Sequence, residues 1–150
     1  MEDIVIRDYC KEDYQQITEL WAETGLLTPE RNDNQQAVED CLKIGGKLLV
    51  MIDTVRGILI GSSWMTFDGR RLHLHHFGII PAYQRRGLGT KLAKTSLAYI
   101  YSQGSQVKLE VHKQNHIAKH LYEKLGFFAY TDYDIYMIRD VEDIPPENRI

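Results

Sequence analysis

The residues best suited to chemistry lie in one run, Gln84-Arg85-Arg86-Gly87-Leu88-Gly89-Thr90-Lys91. The run sits between the end of a strand-like segment and the first turn of a helical one. A first helical turn carries amides without backbone partners and the positive end of the helix dipole. Glycines at 87 and 89 let a bulky anion approach that backbone without meeting a Cβ, and Arg85, Arg86 and Lys91 add cations. Such a loop is suited to a phosphate or pyrophosphate, although its glycine spacing also suits a tight turn with solvated arginines. A dinucleotide fingerprint would need a third glycine where Leu92 stands, and a phosphate loop of the Walker type would need four residues between its glycines.

A second set consists of histidines. His73 and His75 alternate on one face of the strand that leads into this loop, with an unperturbed pKa suited to proton transfer. His76 follows them, and His116 and His120 lie one helical turn apart. No carboxylate or cysteine completes a ligand set at a recognisable metal spacing, so no metal is expected.

Charge supports the anion reading. The 150 residues hold 18 Lys and Arg against 21 Asp and Glu, yet Gly69 to Leu109 contains seven cations and no acid. That block is +7, and the remainder is 11 minus 21, or −10. A mildly acidic chain is a poor general nucleic-acid binder, because counterion release needs many cations on one surface. A compact anionic ligand fits better.

The elements that must position these residues follow from periodicity and punctuation. Ile4 to Arg7 reads as a strand, and Tyr14, Ile17, Leu20 and Trp21 form a helical stripe that Gly25 ends. Leu26 to Asn34 reads as a loop and Gln35 to Ile44 as a weaker helix. Lys47–Asp53, Gly57–Phe67 and Arg71–Ile80 then form an antiparallel meander, which Pro81 terminates. Leu88, Leu92, Ala93, Ser96, Leu97 and Ile100 stripe a helix that Gly104 closes. Val107 to Val111 alternates as a strand. Asn115 caps a helix with Ile117, Ala118, Leu121, Tyr122 and Leu125 on its face. Phe127–Tyr130 and Ile135–Arg139 read as final strands, and the acidic tail 140–150 reads as frayed. The result is a single α+β domain over residues 1–150, with a mixed, mostly antiparallel sheet flanked by helices. One strand-helix-strand crossover makes one parallel pair. The length is that of one domain, no run approaches the roughly 20 apolar residues of a membrane span, and the start is acidic. Two unpatterned cysteines suit reduced thiols, so a cytoplasmic location is expected.

Two motifs carry a family resemblance. Gln84-Arg85-Arg86-Gly87-Leu88-Gly89 matches the Gln/Arg-x-x-Gly-x-Gly/Ala loop of the GNAT superfamily, the Gcn5-related N-acetyltransferases. Asn115 and Leu121-Tyr122-Glu123-Lys124-Leu125-Gly126-Phe127 match its second block. The chain resembles bacterial members related to the ribosomal-protein alanine N-acetyltransferases. The resemblance implies the GNAT fold with a splayed parallel pair, acetyl-CoA as cosubstrate without metal, and direct acetyl transfer to an amine. It implies that amides from Gln84 to Thr90 cradle the CoA pyrophosphate and that backbone near Ile79 and Ile80 holds the pantetheine arm. Asn115 would contact that arm, and Tyr122 would protonate the departing thiolate. The attacking amine must first lose a proton. Glu110, twelve residues before Tyr122, matches the base position of the ribosomal-protein branch; His75 and a water chain are the alternatives. Protein N-termini, lysines and small amines all remain open as acceptors. Leu26 to Asp33, the strand near His75 and the turn 131–134 are expected to line their pocket. The last strands offer a homodimer interface. The competing class is a CoA-binding sensor or assembly module with little catalysis.

Overall fold

The computed structural model describes residues 3–27 and 33–149. Five strands form one sheet in chain order: β1 (Ile4–Asp8), β2 (Lys47–Asp53), β3 (Ile58–Phe67), β4 (Arg71–Ile79) and β5 (Gln106–Leu109). The first three pairings are antiparallel and β4–β5 is parallel. Helices α1 (Tyr14–Glu23) and α2 (Gln35–Lys43) cover one face, while α3 (Leu88–Gln103) and α4 (His116–Lys124) cover the other. This is the mixed sheet with one parallel pair that the element order predicts. Among the described residues no helix is long and apolar enough to cross a membrane.

β2 reads Lys-Leu-Leu-Val-Met-Ile-Asp, a nearly unbroken apolar run, because both of its faces are covered. Leu48 and Val50 join Ile17, Leu20, Trp21, Val38 and Trp64 under α1 and α2. Leu49 and Met51 join Met65, Leu72, Leu92, Ile100 and Tyr122 under α3 and α4. Trp21 and Trp64 stack with centroids 5.7 Å apart. Truncating a buried Trp typically costs about 3–5 kcal/mol, so this pair anchors α1 to the sheet.

β1 is tied to the start of α1 by a two-pronged ion pair. Arg7 Nη1 and Nη2 donate to Asp13 at 2.7 and 2.9 Å, and the Cys10 amide adds a third bond. The Arg7 guanidinium holds the Asp13 carboxyl down at about 2, against an ordinary 3.8, with burial opposing. A carboxyl whose pKa falls on folding contributes its stability fully above the unfolded value. That contribution is lost as pH drops from about 3.8 to about 2. Asp13→Asn should flatten this part of an acid-unfolding curve followed by circular dichroism; an unchanged slope would show that the pair contributes nothing.

Two expectations are corrected. Phe127–Tyr130 and Ile135–Arg139 are not strands: residues 127–139 make no ladder in the sheet. Their β-branched and aromatic residues favour a pleated, half-buried surface, and they are largely exposed here. Short 3₁₀ turns at Val141–Asp143 and Pro146–Asn148 follow and are joined by Arg149. Arg149 donates to the Ile144 and Glu142 carbonyls at 2.8 and 2.6 Å. On α4, Tyr122 is buried but Ile117 is exposed, because only the sheet side of that helix has a neighbour.

Candidate functional site

β5 has four residues and pairs with β4 only from Arg71 to Leu74. β4 continues to Ile79, so from His75 onward its outer edge opens into a split. A β-bulge accompanies the split: Trp64 faces His75 and Ser62 faces Gly78, which leaves His76 and Phe77 opposite Ser63 alone. His76 takes a left-handed φ of 44°. Its ring lies against Trp21 and Trp64, with centroids 4.4 and 5.2 Å away. Phe77 is aimed at the other face, where its ring meets Tyr122 edge-on at 6.0 Å. Trp21 Nε1 donates to Ser62 Oγ at 2.9 Å, and that hydroxyl donates to the His76 carbonyl at 2.7 Å. The bulge is thus fastened from both sides.

Backbone polarity at the end of β4 differs in detail from expectation. Ile80 N–H donates to Ile60 O at 2.9 Å, toward β3, so it is unavailable to a ligand in the split. Successive strand residues direct their polar groups to opposite edges, so Ile79 faces the split. The Gln84 side chain donates to the Ile79 carbonyl at 2.8 Å, while the Gln84 amide bonds to Pro81 O. Gln84 therefore fastens the loop to the strand, and the outward amides begin at Arg85.

Arg85 and Gly87 both have positive φ, 62° and 76°. This alternation curls successive N–H groups into a concave nest ahead of a 16-residue helix. Across the cap of α3, Lys91 N–H donates to Gly87 O at 3.1 Å. By helix geometry the amides of Leu88, Gly89 and Thr90 then point out of the helix end. A Cβ built on Gly87 or Gly89 meets nothing within 4 Å, so glycine keeps clear the space an anion would occupy. The cations are less mobile than the sequence implies: Arg86 donates to Ala82 O at 2.9 Å and covers the Tyr83 ring, and Lys91 reaches toward Ile4 O at 3.4 Å.

Sequence reasoning missed the support under this loop. Tyr83 is buried, and its hydroxyl donates to the buried Asp53 carboxylate at 2.7 Å while accepting from Arg56 at 3.0 Å. Asp53 also caps its own turn by accepting from the amides of Val55 and Arg56. A turn aspartate thirty residues from the loop gives no periodic signal of such a role.

Tyr122 lies in the apolar cluster between Phe77 and Phe127, and burial pushes its hydroxyl up to about 12. It therefore carries its proton throughout the physiological range. Asn115 caps α4 by accepting from the Ala118 amide at 3.1 Å. Its side-chain oxygen accepts that bond with one of two lone pairs, and its amide nitrogen can donate outward.

On the opposite face, His73 and His75 stack with centroids 3.9 Å apart. Glu110 Oε1 is 3.6 Å from His73 Nε2, and Thr66 Oγ1 is 2.8 Å from His75 Nε2. Burial lowers the His73 pKa, with Glu110 opposing, so His73 is predominantly neutral near pH 7. Asp33, the end of the loop expected near the acceptor, lies 3.0 Å from His76 Nε2 and adds a carboxylate to this side. Of the expected acceptor pocket, residues 28–32 lie outside the described residues. Tyr130 stacks on Phe128 and lies tilted against Tyr133, with centroids 5.6 and 5.4 Å apart. Among the described residues no group of three His, Cys, Asp or Glu is placed to hold a metal.

Residues 7–127 match the acetyltransferase (GNAT) family. The chain belongs to that family. As a GNAT member it is an N-acetyltransferase, with an open split beside β4 and a glycine-rich nest before α3. Solved structures share the fold at low identity. One is YncA from Salmonella typhimurium, solved with its cofactor acetyl-CoA; it is 24% identical with a TM-score of 0.70, over 85% of this chain and 81% of that one. The ribosomal-protein-S18-alanine N-acetyltransferase from Escherichia coli is 19% identical with a TM-score of 0.72, over 86% and 80%. AAC(6')-Iy, bound to the bisubstrate analogue CoA-S-monomethyl-acetylneamine, is 17% identical with a TM-score of 0.72, over 92% and 99%.

Proposed function

We propose that this GNAT member moves an acetyl group from acetyl-CoA directly to a primary amine. The observation that carries the reading is the split itself. It has an anion-shaped nest at one end, a protonated tyrosine on one face and a histidine–carboxylate cluster on the other.

The nest from Arg85 to Thr90 fits the pyrophosphate of CoA, and the Ile79 edge of β4 fits an amide-bearing pantetheine arm. Bound acetyl-CoA supplies the activated thioester. In this reading Tyr122 gives its proton to the leaving sulfur, while the Glu110, His73 and His75 face receives the amine. A carboxylate there attracts the ammonium form and can accept its proton, directly or through water. Asp33 reinforces the negative potential for a cationic acceptor. Because acetyl-CoA is an intracellular metabolite, this reading puts the work in the cytoplasm.

The test is thiol release from acetyl-CoA over a panel of N-terminal peptides, lysine peptides and small amines, alongside a thermal shift with CoA. At about 100 times its dissociation constant a ligand adds about 2.7 kcal/mol. Amine-dependent thiol release is expected. Stabilisation without release for any amine would instead mark a CoA-binding module, and absence of both would overturn the cofactor assignment.

Glu110→Gln should flatten the acidic limb of the kcat/KM profile and slow transfer by about 10²-fold or more, the usual contribution of a positioned base. A limb that survives in Glu110→Gln but disappears in His75→Gln would move the role to His75.

A further inference from the structure

Among the described residues only His76 and Arg85 take a left-handed φ without being glycine. His76 is held there by the bulge in β4. Arg85 lies beyond the end of β4, where no ladder holds it, yet its φ is 62°, two residues before Gly87 at 76°. Glycine adopts that conformation at no steric cost, whereas an L side chain brings its Cβ too close to the following carbonyl. Such a residue persists only where its surroundings over-determine it. The nest ahead of α3 needs both left-handed steps, so its shape depends on what fixes Arg85.

The residues on either side of Arg85 are tied down. Gln84 donates to Ile79 O at 2.8 Å, and Arg86 reaches back to Ala82 O at 2.9 Å. The Arg86 guanidinium lies over the Tyr83 ring, 4.9 Å from its centroid, so Tyr83 is the platform on which the loop closes. That platform is buried, and one group anchors it: the phenol donates to Asp53 at 2.7 Å and accepts from Arg56 at 3.0 Å. Asp53 is buried in turn as the last residue of β2. It pairs with Ile4 and Ile58 and accepts from the Val55 and Arg56 amides at 3.0 and 3.2 Å. A rigid corner of the sheet therefore reaches the loop through a single hydroxyl, by a hydrogen bond to a carboxylate, which is among the stronger and more directional kinds.

We propose that Asp53, Tyr83 and Arg56 are positioning residues that hold Arg85 left-handed, so that the nest is formed before CoA arrives and its affinity is not reduced by loop ordering. The inference rests on the reading of that nest as the pyrophosphate site. The three residues act through the backbone of Arg85 and do not themselves hold the cofactor. A loop formed in only a fraction of molecules weakens the apparent affinity by that fraction.

Calorimetric titration of the full chain with CoA tests this without an acceptor. Tyr83→Phe keeps the ring under Arg86 and removes only the hydroxyl. Loss of a hydrogen bond to a charged group should raise the dissociation constant about tenfold. Position 85 then separates loop geometry from general stability. Arg85→Ala and Arg85→Gly lose the same charge, but only glycine is at ease at a φ of 62°. With Tyr83 intact their dissociation constants should agree within about twofold, and in the Tyr83→Phe background the Ala chain should bind roughly tenfold more weakly than the Gly chain. An equal loss in both would show that Tyr83 acts on stability alone and would overturn the proposal, as would wild-type affinity in a folded Tyr83→Phe chain. Should circular dichroism show that Tyr83→Phe does not fold, Arg56→Ala removes a donor to the same phenol from a largely exposed side chain, and the same Ala–Gly comparison decides. A wild-type chain that takes up no CoA would instead remove the cofactor reading on which the inference stands.

Discussion

Tyr122→Phe is expected to lower turnover by about 10²-fold or more while leaving the CoA thermal shift and the melting temperature nearly unchanged. A positioned general acid is typically worth about 10² to 10⁴. Burial raises the phenol pKa to about 12, so the hydroxyl carries its proton across the working pH range. The substitution keeps the ring, and with it the edge contacts to Phe77 and Phe127 that hold α4 on the sheet. Loss of rate with retained stability and retained CoA binding therefore isolates the hydroxyl. Turnover equal to wild type would remove Tyr122 from the chemistry and leave it a core residue.

Gly89→Asp should separate folding from cofactor binding. Gly89 lies in the first turn of α3 with ordinary helical φ, and a Cβ there meets nothing within 4 Å. An acid in a first turn is favourable by about 0.3–1 kcal/mol, so the free protein should melt at or slightly above the wild-type temperature. The same carboxylate faces the place proposed for two phosphates. Like unit charges about 4 Å apart near a surface repel by about 4 kcal/mol, which predicts a rise of roughly 10²- to 10³-fold in KM for acetyl-CoA and loss of the CoA thermal shift. Gly89→Ala, which adds bulk without charge, should have a much smaller effect. An unaffected KM in the Asp variant would exclude the α3 end as the pyrophosphate site.

Local signals carried most of the architecture. The helical stripe of α3 was legible because Leu92, Ala93, Ser96 and Ile100 face the sheet while Tyr101 does not. The alternation of His73 and His75 translated directly into stacked rings, since period-two placement needs only an extended backbone. The glycine loop was legible because dipole, amides and glycines all act within eight residues.

Pairings set by register were not legible. His76 joins the tryptophan pair only because a bulge opposite Ser63 rotates it, and a bulge is a property of two strands. The Asp53–Tyr83–Arg56 support joins a hairpin turn to the glycine loop across thirty residues, and Asp33 reaches His76 from the segment before α2. Ile117 looked like a core residue from α4 periodicity, yet nothing covers that side of the helix. The strand propensity of 135–139 was legible but its pairing was not, because a ladder is a property of two strands and none forms there.

The chain sequence was therefore enough to specify which segments are helix or inner strand, where a glycine-rich loop meets a helix N-terminus, and which residue types lie along β4. Those properties depend on backbone period, dipole direction and side-chain chemistry, all of which are short-range. Folding added the split, the bulge, the buried phenol and the bare β5 edge. Each of these arises from where one element stops relative to another: β5 ends at Leu109 while β4 runs on to Ile79, and that difference in strand length opens the split.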